Sequence, residues 1–271
     1  MDIMKEWQSF LLVSVLVVFV SIYAGRDALA SFVWQKYRAP QVAILLDRSN
    51  AELAMFIGNY HFNSVIGGGE YNPDIALKAY RKVVSINPKI LWGHYELARI
   101  YFVKGDYRQA LEEINKELEA NPENLRSLYV RGLIYGYRGQ AGDLAKAEAD
   151  FQRFTLWAPS EWAGYNDLAW ILSKQGKYKE AKETIKRALS EIPESADNPW
   201  LWNAFGVAEL NLKEYKNAAI SFKKAKRLAE ELTEEDWRRS YPGNNPASAE
   251  EGLSAFLKAI SENLRRAKSE G

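Results

Sequence analysis

From residue 51 onward the chain repeats itself at a period of about 34 residues, so it must fold as a stack of like units rather than around one central core. The clearest copies run over residues 104–122 (Lys-Gly-Asp-Tyr-Arg-Gln-Ala to Ala-Asn-Pro) and 175–193 (Gln-Gly-Lys-Tyr-Lys-Glu-Ala to Glu-Ile-Pro). In register, five copies begin at Ala51, Leu91, Leu125, Trp162 and Pro199. Each carries a small residue in its first half, at Gly58, Ala98, Gly132, Ala169 and Gly206, where a short side chain lets a partner helix approach. Each opens its second half with an alanine (Ala76, Ala110, Ala147, Ala181, Ala218), followed four residues later by Tyr80, Ile114, Phe151, Ile185 and Phe222. An i, i+4 pair lies on one helix face, as packing requires. Pro88, Pro122, Pro159 and Pro193 end four of the second helices.

This pattern resembles the tetratricopeptide repeat, whose signature places W-x2-L-G-x2-Y, then A-x3-F, then P. The resemblance implies an all-α helical-repeat solenoid: five helix pairs over 51–232 (51–90, 91–124, 125–161, 162–195 and 199–232) wound as a right-handed superhelix. Extra residues around Gly67-Gly-Gly69 and Gly139-Gln-Ala141 fall between the paired helices and read as loops. Glu117 stands where a small residue is usual, and Glu209 replaces the first-helix aromatic. A turn-forming run, Tyr241-Pro-Gly-Asn-Asn-Pro246, separates residues 233–240 from a helix expected over 247–268. Leu253, Phe256, Leu257 and Ile260 recur there at helical spacing, which suits a cap on the open end of the stack.

The first fifty residues carry a different signal. Residues 7–25 are nineteen in a row without a charge. At about 1.5 Å per helical residue they approach the ~30 Å of a bilayer core, with Trp7 and Tyr23 at interface positions. The expectation is a tail and transmembrane helix over 1–25, then a juxtamembrane helix and linker over 26–50. Lys5 before the span against Arg26, Lys36 and Arg38 after it places the repeats in the cytoplasm. Ala28-Leu29-Ala30 has the spacing of a signal-peptidase site and points outward, and the expectation leans to the extracytoplasmic side.

Lys plus Arg (36) nearly balances Asp plus Glu (35), which gives no field favouring nucleic acid. Cysteine is absent, which removes disulfides, thiolate metal sites and cysteine nucleophiles. The two histidines, His61 and His94, occupy core positions of the repeat, and no nucleophile-elbow, zinc-protease or phosphate-loop motif occurs. The expectation is therefore a protein that is not an enzyme and takes no cofactor or metal.

The family resemblance further implies that the first helix of each repeat lines a concave groove. Its ligand-facing positions fall on Asn59, Phe62, Tyr95, Arg99, Arg126, Tyr129, Tyr137, Asn166, Trp170 and Asn203. Aromatics and amides dominate, as suits a protein or peptide partner. No triplet of repeats reproduces the family's Lys/Asn/Arg clamp for a terminal carboxylate. The leading expectation is a membrane-anchored interaction scaffold with contact to the bilayer through residues 7–25. The second is a structural subunit that self-associates through its repeats in an envelope assembly.

Overall fold

The computed structural model describes Trp7, Leu12, Ser14, Val15 and residues 25–63, 68–240 and 249–271. Among them are fourteen α-helices, one 3-10 turn and no strand. The chain forms two compact units that divide between Gly93 and His94.

Unit 1 holds α1 (Arg26–Tyr37), α2 (Pro40–Leu46), α3 (Ala51–Phe62) and α4 (Pro73–Ile86). Local chemistry sets the helix starts. The Asn50 and Asn72 side chains accept the N–H groups of Leu53 and Ile75, and Pro73 occupies a first-turn position where its missing N–H is not needed. Trp34 of α1, Ala43 of α2, Ile57 of α3 and Ala79 of α4 share one buried cluster.

Unit 2 holds four further helix pairs: α5 (Gly93–Val103, its first residue in unit 1) with α6 (Tyr107–Ala120), α7 (Arg126–Arg138) with α8 (Asp143–Trp157), α9 (Trp162–Lys174) with α10 (Tyr178–Glu191), and α11 (Pro199–Asn211) with α12 (Tyr215–Glu230). From α6 on, each helix packs against the next in sequence, and α7, α9 and α11 touch in succession. The turn after α7 needs two left-handed glycines, Gly139 (φ 63°) and Gly142 (φ 81°), so the extra residues 139–141 form a loop, as their composition indicates.

The small residue of the first helix and the i+4 residue of the second match in size. A Cβ built on Gly58, Gly132 or Gly206 would lie 2.5, 2.9 or 2.8 Å from the ring of Tyr80, Phe151 or Phe222 in its own repeat. The two repeats with alanine at that point, Ala98 and Ala169, carry the smaller Ile114 and Ile185 on the second helix, all four buried. A missing methyl on one helix is filled by a ring from the other, which keeps interior packing density constant.

The departures from the repeat pattern are satisfied where they stand. Glu117 is fully buried and accepts from the Tyr95 backbone N–H (3.2 Å), Asn124 Nδ2 (2.9 Å) and Asn121 Nδ2 (3.2 Å), so it ties α6 to the start of α5 and to the α6–α7 turn. Buried Glu209 accepts from Ser221 Oγ at 2.6 Å. His94 is buried with Nδ1 2.6 Å from Glu113 Oε2, and His61 is buried with Nδ1 2.9 Å from the Glu70 carbonyl.

Beyond α12, α13 (Glu234–Ser240) and α14 (Ala249–Glu270) complete the chain, with residues 241–248 outside the described set. Helix α14 lies against α12 through Ile260 and Ala267, backed by Phe256, Leu257 and Leu264. Its apolar face thereby covers the last repeat.

The expected membrane anchor requires correction. Most of residues 7–25 lie outside the described residues, as does much of the glycine insertion at 64–67. Among the described residues no helix is long and apolar enough to cross a membrane. The first complete helix, α1, has twelve residues and carries Arg26, Asp27 and Lys36. A single-pass anchor, membrane localisation and a bilayer partner are accordingly not supported.

Candidate functional site: the surface of α7 and α9

In unit 2, α7 and α9 bring several of the expected groove residues into contact. Tyr129 Oη of α7 donates to Asp167 Oδ2 of α9 at 2.7 Å, and Asn166 Nδ2 donates to Asp167 Oδ1 at 3.0 Å. Burial raises the Asp167 pKa from 3.8 to about 6, against the lowering effect of these two hydrogen bonds. The Tyr129 ring is fixed from behind by Phe151 (5.7 Å) and Phe154 (5.0 Å) of α8.

Two turns along α7, Tyr137 is 56% exposed, yet its ring is held between Phe102 of α5 (5.4 Å, edge-on) and Trp170 of α9 (5.0 Å). Burial, and secondly the Asp167 charge, push the Tyr137 hydroxyl pKa up. Trp170 closes over the backbone of α7: a Cβ on Gly136 would lie 2.6 Å from the Trp170 ring. Lys174 Nζ sits 4.4 Å from the Trp170 ring centroid and donates to the Gly136 carbonyl at 3.0 Å, so this cation is already held within the protein.

Other expected groove residues have different surroundings. Phe62 is fully buried and stacks on Tyr71, while Asn59 Oδ1 accepts from Tyr80 Oη (2.7 Å) and Asn63 Nδ2 (3.0 Å); both serve packing inside unit 1. Tyr95 is 8% exposed, with the Arg99 guanidinium 5.7 Å from its ring centroid, and burial raises its pKa. Arg99 pairs with Glu96 at 2.8 Å and Arg126 with Glu161 at 3.1 Å, so both guanidinium groups have internal carboxylates. The Oδ1 of Asn203 is buried with no donor among the described residues.

Sequence reasoning passed over Asp167, although it is the one acid of a helix whose other charged residue, Lys174, stands at its end. It also passed over Phe102 and Lys174, which complete the aromatic strip. At the far end, Trp200 is covered by the chain itself: its ring stacks on Trp162 (5.4 Å, 22°) and Phe256 (5.8 Å, 16°), with Trp237 6.0 Å away.

Family models for the tetratricopeptide repeat match residues 95–155 and 163–195. The chain is 29% identical over 133 residues to BBSome complex member BBS4 of Bos taurus, covering 49% of this chain and 24% of that protein. Among solved structures, MamA residues 41-end from Desulfovibrio magneticus RS-1 is similar at TM-score 0.56 and 17% identity, with 68% of this chain and 97% of that one covered. YrrB, described as a TPR protein with an unusual peptide-binding site, is similar at TM-score 0.53 and 19% identity, with 71% and 93% covered. At these identities the structural matches establish the fold. Residues 95–155 and 163–195 therefore carry tetratricopeptide repeats, and the chain has an all-helical, tetratricopeptide-like solenoid fold.

Proposed function

We propose that this protein binds an extended segment of a partner protein on the surface formed by α7 and α9, and that it performs no catalysis of its own. The observation that carries the reading is Tyr137: an aromatic side chain 56% open to solvent and yet fixed between Phe102 and Trp170. A ring already held in one place gives contact area with little further loss of rotamer freedom, which is the property of a binding anchor. Asp167, Asn166 and the Tyr129 hydroxyl add directional polar groups beside the aromatic strip, as recognition surfaces require. Peptide binding by the structurally similar YrrB is consistent with the same use of the fold.

The test is capture of co-purifying protein by the full chain and by Tyr137→Ala. Truncating an anchor of this kind weakens binding by about 2 kcal/mol, roughly thirtyfold. Because the ring is more than half exposed, the melting temperature should stay close to that of the parent. Unchanged capture by the folded variant would refute this surface as the binding site.

A further inference from the structure

Several acids of unit 2 are paired with cations, while fully buried Glu117 is held by neutral donors. Glu96 meets Arg99, Glu113 meets Lys116, Asp143 meets Arg138, Asp150 meets Arg131, and Glu148 meets Lys177. Asp167 has no ion-pair partner among the described residues; its two hydrogen bonds come from neutral groups, Tyr129 Oη and Asn166 Nδ2. The cations of the same two helices are engaged elsewhere, Lys174 with the Gly136 carbonyl and the Trp170 face, and Arg126 with Glu161. A carboxylate partly withdrawn from water without a counter-charge is unfavourable, and an incoming cation would relieve it.

The surroundings fit an incoming cation. The Tyr129 and Tyr137 hydroxyls lie on the α7 side, and Tyr137 is close enough for the Asp167 charge to perturb it. The Tyr137 and Trp170 rings are 5.0 Å apart, Trp170 stands one helical turn beyond Asp167 on α9, and it already attracts one ammonium group to its face. Among the described residues each Asp167 oxygen accepts one hydrogen bond, and a carboxylate oxygen has two acceptor sites, so each can take one more.

We infer that the bound segment presents a lysine or arginine side chain whose cationic head pairs with Asp167 and lies against the Tyr137 and Trp170 rings. This rests on the α7–α9 surface being the binding site. It makes the protein a reader of basic, extended peptides rather than of acidic chain ends. The carboxylate supplies the charge contact, the rings supply the apolar stem contact, and Tyr129 and Asn166 fix the orientation of the acid.

The experiment uses the full chain and an oriented peptide library in which one central position is fixed as Arg, Lys, citrulline, Met or Glu and the flanking positions are degenerate. Citrulline keeps the shape of arginine without its charge. At constant ionic strength, Arg and Lys pools should be retained about tenfold over citrulline and Met, with Glu lowest. Asp167→Asn should abolish that preference while its circular dichroism stays helical, and Tyr137→Ala should lower retention of every pool. Retention of peptides without a basic preference, or an equal preference in Asp167→Asn, overturns the inference and leaves the binding surface standing. Retention that Tyr137→Ala does not lower, or no retention of any pool, overturns both.

Discussion

Replacing Asp167 by asparagine should make the protein more stable at neutral pH, which is unusual for a change at a partly buried, hydrogen-bonded site. Burial raises the Asp167 pKa from 3.8 to about 6. At about 1.4 kcal/mol per pKa unit, the charged form is disfavoured in the folded state by at most about 3 kcal/mol. The sign follows from proton binding: below pH 3.8 both states hold the proton and stability is full. As pH rises towards 6 the unfolded chain gives up its proton first, stability falls, and above pH 6 it stays at the lower level. Asparagine keeps the shape without the charge. It sets an amide against Asn166 Nδ2 or Tyr129 Oη, which returns about 1 kcal/mol of the gain. A net stabilisation of roughly 1–2 kcal/mol at pH 7.5 is expected, shrinking to near zero at pH 4. Urea unfolding of the full chain at both pH values, followed by far-ultraviolet circular dichroism, measures it. A variant less stable than the parent at pH 7.5, or an equal gain at both pH values, would refute the electrostatic account.

The remaining predictions concern packing and buried polar groups. Gly132→Ala forces a methyl to within 2.9 Å of the Phe151 ring and should destabilise by about 1–3 kcal/mol, whereas Gly132→Ala with Phe151→Ile recreates the alanine–isoleucine match and should recover most of that loss. Additive destabilisation in the double variant would show that the size match is incidental. Glu117→Ala leaves the Tyr95 N–H and two asparagine amides without their acceptor and should remove about 3 kcal/mol, read as a fall in denaturation midpoint. Asn203→Ala removes a buried acceptor with no donor among the described residues, so its thermal midpoint should move by no more than about 2 °C; a larger fall would mean that Oδ1 is engaged.

What the sequence made legible was whatever recurs. Five aligned small residues and five aligned alanines are independent samples of one packing rule, and each glycine does lie under the ring four residues beyond the alanine of its own repeat. The single sites were harder. Glu117 reads as a violation because its three donors come from a turn and from the start of α5, which only folding brings to it. Phe62 and Tyr95 hold groove positions by alignment, but both are buried in the structure. Asp167 was overlooked because one acid carries no periodic signal, and its significance lies in the cation it lacks. The nineteen uncharged residues gave the strongest local signal in the chain, yet no described helix bears a membrane span.

The stack of Trp162, Trp200, Phe256 and Trp237 closes the last repeat with rings drawn from two repeats and two terminal helices. Indoles stacked at 5.4 Å couple their electronic transitions, and coupled transitions in a chiral setting give paired bands of opposite sign in the near ultraviolet. The chain thus carries an unlabelled optical gauge at its carboxyl-terminal end. Departure of Phe256 and Trp237 would leave the Trp162–Trp200 pair facing water, changing the band shape and shifting emission to the red while helix content hardly moved. Loosening of the cap can therefore be followed separately from melting of the repeats it covers.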